Sequence, residues 1–525
     1  MNSFASRLRA ALVGPSARRY WLIAGLLFVY AGQRQIRAAE PFTEPALLLD
    51  TLDRWNDKLQ LGLPYPFDML TGLVLIGVGS ILFGGWLKLG TWTNNTENPE
   101  APIPPEIHWK RALPWFAASL VLFLVLQVQL AQHNDSILIF WGWLVTILVP
   151  TLLIWLYERR AGLDLSLSIK RIDAILILIL FGFAVAVSAF LLADLPLWVI
   201  GDEGTFWEIA RSVAIGELRH SFFDVGVYTF PFASSMFQGW ILRWAGINLW
   251  GWRFASVLPA CIAVIPLYLL ARDLFDRRVA LACAVILIVN PYFLSFARLG
   301  YNNSQALLPV VLCIYFLNLA LRKNSKFFLW LAGLSAGLGF YTYFAAWLGF
   351  AVAITVLPIA AIRSGGLRKL LPSLGIFLVA WLAVILPRIL YGLSGSLSDS
   401  LYYKIVETTF INPFYARAIF GKEPIAESFI MTVSNNIEIL YEPKLYGIML
   451  TRGLIRTLLT LFDNSLYQDH FVISELAGPG SSIFLALGLG VVLINFKKLR
   501  FFTLASWFLI GLVFLGIIAA FPPRA

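Results

Sequence analysis

Long apolar runs alternate with short polar breaks along this chain, and the run length predicts its architecture. Windows near 20–33, 67–87, 112–131, 137–157, 174–193, 254–271 and 279–297 are apolar. So are windows near 305–321, 327–341, 344–362, 370–387, 480–495 and 501–520. With their flanks, they approach the roughly 20 residues that a helix needs to cross a bilayer. The pattern predicts an all-α polytopic membrane protein of about thirteen transmembrane helices. Two stretches between the runs read differently. After Gly201, the residues Phe206, Ile209, Ala210, Val213 and Ala214 recur at helical spacing on one side, with Glu203, Glu208, Arg211 and Ser212 on other faces. Phe232 to Gly246 carries Trp240, Arg243 and Trp244. Both predict amphipathic helices lying in the membrane interface, not spans.

Composition agrees with the pattern. Of 525 residues, 59% are hydrophobic and only 13% charged, with mean hydropathy +0.77, too little charge to cover a soluble protein of this size. Cys261, Cys283 and Cys313 all fall inside apolar runs and read as small buried hydrophobes, not as a disulfide or metal framework. The net charge of +10 is split among short loops, which excludes a nucleic-acid binder with a continuous basic face. Arg7, Arg9, Arg18 and Arg19 precede the first run, which reads as a retained first span starting in the cytoplasm.

Loop charges then orient the chain. Arg159, Arg160, Lys170 and Arg171 fall in one class of loop, with Arg272, Arg277, Arg278, Arg322, Lys323 and Lys326. Arg363, Arg368, Lys369, Lys497, Lys498 and Arg500 join them, whereas the loop from His133 to Ser136 has no lysine or arginine. The positive-inside rule assigns the basic loops to the cytoplasm. That threading puts Asp202, Glu203, Arg253, Arg298 and the long segment 388–478 on the non-cytoplasmic side.

Asp202 and Glu203 are the leading chemical candidates, because two adjacent carboxylates at the mouth of the 174–193 run are costly near hydrocarbon. An N-cap and a solvated first helical turn explain them about equally well. Arg253 and Arg298 sit at span ends, where snorkelling is the ordinary explanation. An exoplasmic arginine nevertheless opposes the usual charge bias, and a phosphate would give each a partner through bidentate hydrogen bonds. Tyr301, Asn302 and Asn303 belong to a dense run of donors after Arg298, readable as a polar turn or as a sugar or phosphate contact. His220 is a further candidate substrate contact, although a lone loop histidine is usually only solvated.

Taken in order, Asp202-Glu203, Glu208-Ile209-Ala210-Arg211, Gly216, Trp252 to Pro259, Tyr268 to Phe275 and the Arg298–Asn303 turn resemble the GT-C superfamily of membrane glycosyltransferases. The nearest branch is that of the protein O-mannosyltransferases and aminoarabinose transferases (family 39/83-like). The resemblance covers about 173 to 345, is mainly topological beyond, and leaves out the four N-terminal spans. It implies an inverting transfer from a polyprenyl-phosphate sugar to an acceptor hydroxyl on the non-cytoplasmic face. By position it implies Asp202 as catalytic aspartate, Glu203 as second acid and Arg253 as the arginine that starts the following helix; Arg253 or Arg298 would then stabilise the charge that grows on the departing lipid phosphate. Two positions depart from the pattern. Thr229-Phe230-Pro231 stands where aminoarabinose transferases have Glu-Lys-Pro, and Phe206 where they have tyrosine. The phosphate must then rely on other cations, which argues against an aminoarabinose donor.

The expected organisation is an N-terminal transmembrane extension, 1–172, and a GT-C-like core, 173–525, with external loops 201–252 and 388–478. The expected location is the bacterial cytoplasmic membrane, with the site facing outside, and the chain ends just beyond a predicted span with room for a further external portion. Expected partners are the lipid-linked donor, membrane lipid and an acceptor glycan, lipid or protein, with no nucleic acid. No cofactor is expected to be required. An acid pair can hold a divalent cation through oxygen ligands, but the resembling branch works without an essential metal, so no metal site is expected. Two other readings fit the same pattern: a transporter or flippase of a lipid-linked glycan, which would want charges on broken helices at mid-membrane, and a non-catalytic scaffold of the same fold.

Overall fold

The computed structural model describes residues 15–38, 67–89, 112–132, 136–196, 199, 202–217, 221–227, 230–365, 367–393 and 479–518, with a few residues between 454 and 462. Helices are numbered over these residues: α1 Pro15–Ala38, α2 Phe67–Leu89, α3 Leu113–Ala131, α4 Ile137–Arg160, α5 Arg171–Ala189, α6 Glu203–Ile215, α7 Phe232–Ala245 and α8 Leu249–Leu274. They continue as α9 Arg277–Val289, α10 Pro291–Arg298, α11 Leu307–Lys323, α12 Lys326–Leu338, α13 Leu348–Gly365, α14 Leu367–Leu393, α15 Pro479–Ile494 and α16 Leu499–Ile518. Short 3-10 turns occupy Asn303–Ala306, Gly339–Tyr341 and Phe344–Trp347.

Each predicted apolar window has most of its described residues in helix, and the two amphipathic stretches are α6 and α7. Among the described residues, eight helices are long and apolar enough to cross a membrane, or nine if α9 and α10 count as one bent span. This marks an integral membrane protein but supports fewer spans than the thirteen expected. α12 has only 13 residues, and the apolar parts of α15 and α16 are also short. The expected continuous span 279–297 is broken. α9 and α10 meet at 56°, because Pro291 opens α10 and the Asn290 side chain accepts from Tyr292 N (2.9 Å) and Phe293 N (3.2 Å). A proline at the first helical position has no amide to satisfy, and an asparagine before it caps the next amides.

The chain packs as two units, one of Met1–Pro99 with Ile405–Arg524 and one of Glu100–Lys404. In the first, α1, α2 and α15 share a core of Val29, Ile36, Ile76 and Leu487, with Gln33 Nε2 donating to Ser482 Oγ at 2.5 Å. The second holds α3 to α14, so α3 and α4 group by packing with the helices after 173 and not with α1 and α2.

Within the second unit α8 is the central helix, packed against α5, α7, α9 and α11. Arg253 in its first turn and Arg272 in its last lie about 28 Å apart along the axis, close to the thickness of a hydrocarbon core. At the Arg272 end, Asp173 accepts from Arg277 Nε (2.8 Å), Tyr268 OH (3.0 Å) and Arg272 Nη1 (3.2 Å). Arg322 pairs with Asp273 at 3.0 Å and Lys323 with Asp164 at 2.9 Å. Buried Glu158 of α4 accepts from Ser325 Oγ and Lys326 N, both at 2.6 Å, and so caps α12. Three of the loops that the charge rule assigns to the cytoplasm, around 158–173, 272–278 and 322–326, thus gather at one end of α8, and Arg253 lies at the other.

α14 carries Pro387, which cannot donate to the carbonyl of Ala383 four residues earlier. Trp143 of α4 supplies the missing donor, its indole Nε1 reaching Ala383 O at 2.8 Å. Beside it Tyr341 OH donates to Val384 O at 2.8 Å. Phe222, Phe223 and Tyr391 complete an aromatic cluster around these two. Phe222 stacks on Tyr341 with ring centroids 5.1 Å apart. Replacing Trp143 by Phe should keep the packing and orphan the Ala383 carbonyl. The expected cost is about 1–3 kcal/mol, read as a lower melting temperature of the full chain in detergent. An unchanged melting temperature would show that this bond contributes nothing.

Candidate active site

α6 is short and one-sided, and Gly216 ends it in the left-handed conformation (φ 81°). Its buried face is Glu203, Phe206, Ala210 and Ala214. Glu203 therefore shares the packed face with Phe206 and Ala210 and does not lie on another face, as the spacing of apolar residues had suggested. α6 lies on α7 at Gly239, where an added Cβ would sit 2.7 Å from Val213. α7 buries Ser234, Ser235, Gln238 and Leu242 and leaves Trp240 and Trp244 exposed, 52% and 77%, as the interfacial reading expected.

The centre of the site is an ion pair. Arg253 Nε lies 3.2 Å from Glu203 Oε1, and both side chains are wholly buried. Gly300 N also donates to Glu203 Oε1, at 2.9 Å. Arg253 Nη1 donates to Pro196 O (2.8 Å) and Leu192 O (3.2 Å), in the turns that follow α5. The pair thus ties together α6, α8, the segment after α5 and the loop after α10. Gly300 is required sterically, because any Cβ there would collide with the Trp252 indole.

Asp202 stands at the N-cap position of α6 in helical backbone conformation (φ −71°, ψ −6°), and its side chain makes no capping hydrogen bond. It is exposed, next in sequence to the buried Glu203. The two acids are therefore divided in environment: one solvent-facing carboxylate and one locked to an arginine. Phe206, where the resembling pattern has tyrosine, packs edge-on against Tyr301 with centroids 5.5 Å apart. Burial and the nearby Asp202 carboxylate both push the Tyr301 phenol up, so it remains a neutral hydroxyl at ordinary pH.

Arg298 is near the pair but spent on backbone: Nη2 donates to Leu195 O (3.1 Å) and Leu191 O (3.3 Å), and Nη1 to Val187 O (3.3 Å). Arg253 and Arg298, both nominated for a phosphate, hold the post-α5 segment in place. Tyr301, Asn302 and Asn303 are buried beside them, and Tyr301 O accepts from Ser256 Oγ at 2.8 Å. Among the described residues neither carboxamide atom of Asn302 has a hydrogen-bond partner, and the same holds for Gln238 of α7. Gln305 Nε2 joins their two elements by donating to Ser234 O at 3.3 Å. Buried amides that lack partners suit hydroxyl-rich ligands or ordered water. Gln238 and Ser234 escaped the sequence reading because an amphipathic period treats them as ordinary helix residues. His220 and most of the segment 388–478 lie outside the described residues. Among the described residues, no three His, Cys, Asp or Glu side chains converge to hold a metal ion.

Comparisons with known proteins point to one class. Residues 230–391 match the family described as dolichyl-phosphate-mannose-protein mannosyltransferase. An undecaprenyl phosphate-alpha-4-amino-4-deoxy-L-arabinose arabinosyl transferase of Pseudomonas paraeruginosa (strain DSM 24068 / PA7) is 32% identical over 183 residues, 33% of this chain and 32% of that protein. The chain thus spans about a third of the length of this relative. Among solved structures, ArnT from Cupriavidus metallidurans bound to undecaprenyl phosphate aligns with TM-score 0.36 and 15% identity over 65% of this chain and 76% of that one. The S. cerevisiae protein O-mannosyltransferase Pmt1–Pmt2 complex bound to the sugar donor aligns with TM-score 0.34 and 18% identity over 49% and 38%. Likenesses this distant carry no argument about the site. The sequence matches agree with the resemblance read above: residues 230–391 are similar to a glycosyltransferase family. Arg253, Arg298 and Tyr301 to Asn303 lie inside the matched segment, and the acid pair lies just before it.

The ion pair makes a stability prediction. Removing one partner, as in Arg253→Met, leaves a buried charge and is expected to cost about 3–5 kcal/mol. Thermal melting of the detergent-solubilised chain measures it. Glu203→Leu combined with Arg253→Met should recover most of the loss, and a double variant no better than the single one would contradict the pairing.

Proposed function

We propose that the protein is an inverting glycosyltransferase that moves a sugar from a polyprenyl-phosphate donor to an acceptor hydroxyl. The active site faces outside, on the non-cytoplasmic side of a bacterial cytoplasmic membrane. The observation that carries this reading is Asp202, an exposed carboxylate with no capping bond, at the mouth of a buried Glu203–Arg253 pair. The relative's printed activity, transfer of aminoarabinose from undecaprenyl phosphate, supports the donor class. The missing lysine at Phe230 and the missing tyrosine at Phe206 favour a different sugar.

In the proposed step, the acceptor oxygen attacks the anomeric carbon as the bond from that carbon to the phosphate oxygen breaks. The acceptor proton passes to Asp202 as a general base. The departing lipid phosphate carries the negative charge, and cations facing it stabilise the transition state. Glu203 is a positioning residue here: held by Arg253 and Gly300 N, it fixes the start of α6 and therefore the place of Asp202. Asn302 and Gln238 would supply hydrogen bonds to sugar hydroxyls. A carrier would be favoured by charges at a broken helix. The bend at Asn290 and Pro291 carries no charged residue, which favours the enzyme.

Asp202→Asn is expected to lower transfer from a polyprenyl-phosphate sugar by about 10²–10⁴-fold, with expression and melting temperature unchanged because the side chain caps nothing. Near-normal transfer by that variant would end the assignment. We also propose that no resident metal takes part, so dialysis against EDTA should leave the same rate in a membrane assay.

A further inference from the structure

Two arginines at this end of the molecule, Arg253 and Arg298, are committed to Glu203 and to backbone carbonyls. Arg211 and Arg243 are exposed on α6 and α7. Arg388 is different. It follows Pro387 in α14 and is half-buried, and its Nη1 is screened from solvent with no hydrogen-bond partner among the described residues. A buried guanidinium nitrogen with unused hydrogens is costly, so a native structure holding one calls for an acceptor.

The surroundings say what kind of acceptor fits. The Tyr341 hydroxyl sits at the Arg388 amide and donates to Val384 O, so it holds the helix backbone at the Pro387 break beside Arg388. Asp224 lies within electrostatic range of the guanidinium. It also accepts from Val225 N at 2.7 Å, which fixes its carboxylate at that turn. The half-buried Phe222 and Leu386 form an apolar edge on the same cluster, backed by the buried Trp143, Phe223 and Tyr391. An anionic head that continues into an apolar chain satisfies both parts: oxygens for the guanidinium fork and hydrocarbon for the apolar edge.

The chain of contacts runs from this cluster back to the acid pair. Tyr341 shares a short break with Tyr343, whose ring lies 5.2 Å from Phe230. Phe230 lies 6.2 Å from Phe206, three residues along α6 from Glu203. The break after α12 and the amphipathic stretch therefore form one aromatic floor between Arg388 and Asp202.

We infer that Arg388 binds the phosphate of an isoprenoid-type lipid phosphate, at a site separate from the Glu203–Arg253 pair. This rests on the lipid-phosphate reading above, but it fails independently of Asp202. The shared chemistry is a phosphate oxyanion, which a lipid or free phosphate could both supply, and the apolar edge assigns it to the lipid.

The test uses the full chain in detergent and follows its melting temperature against farnesyl phosphate, with farnesol and inorganic phosphate as separate arms. Farnesyl phosphate should stabilise the wild-type chain in a saturable way, and the other two should not. Arg388→Gln should raise the half-saturating concentration about tenfold or more, the scale of one charge-assisted hydrogen bond. Arg243→Gln, at an exposed arginine of α7, should leave it unchanged, and transfer by Asp202→Asn remains a separate readout of catalysis. Asp224→Asn removes a competing carboxylate and should tighten binding, which keeps the proposal testable if Arg388→Gln does not fold. Equal half-saturation in Arg388→Gln and wild type overturns the assignment, as does weaker or unchanged binding in Asp224→Asn. Equal protection by inorganic phosphate overturns the lipid part of it.

Discussion

The Glu203–Arg253 ion pair is the constraint on which the site depends. Two charges wholly removed from water are stable only when each is paired and hydrogen-bonded. Here the requirement recruits Gly300 N on the acid side and the Leu192 and Pro196 carbonyls on the arginine side. Four segments far apart in sequence are brought to one point by two side chains. Asp202 inherits its position from this arrangement, since it precedes Glu203 at the first turn of α6. Its own carboxylate remains available because Glu203 carries the structural duty.

A second constraint runs through the same bundle. In a membrane interior every backbone polar group needs a protein partner, and the proline in α14 removes one. The indole of Trp143 restores it, and Tyr341 adds a bond at the adjacent carbonyl. This explains why α4, remote from the acid pair in sequence, is built into the wall beside Arg388. At the opposite end of α8 the same logic operates with charges, as Asp173 gathers two arginines and a tyrosine. Helix length separates the two polar ends by about one hydrocarbon thickness.

Much of this was legible in the residues. Apolar windows located the helices, and period and aromatic placement separated α6 and α7 from the spans. The pattern around Asp202, Arg253 and Arg298 pointed to one class of enzyme, and the family match over 230–391 agrees with it. Glu203 was placed on a different helix face from Phe206 and Ala210 because polarity was used as a proxy for exposure. The proxy fails for a buried charge whose partner lies 50 residues away. The two arginines were nominated for a phosphate, yet a guanidinium donates equally well to carbonyls, and sequence does not say which acceptor is nearer. The bend between α9 and α10 was also hidden, although Asn290-Pro291 was its signal, because the hydropathy of the window continues across the break.

The sequence by itself determined the solvent in which this protein folds, the approximate place of its helices and the acid pair worth testing. These follow from local quantities: apolar length, helical period and the cost of charge near hydrocarbon. Only the tertiary structure decided which acid is buried, which arginines are spent and where an unpaired guanidinium hydrogen remains. Those properties depend on distances between groups far apart along the chain, and on which carbonyls a turn or a proline leaves exposed. Asp202 and Glu203 are neighbours of similar chemistry, and packing alone gives them different roles.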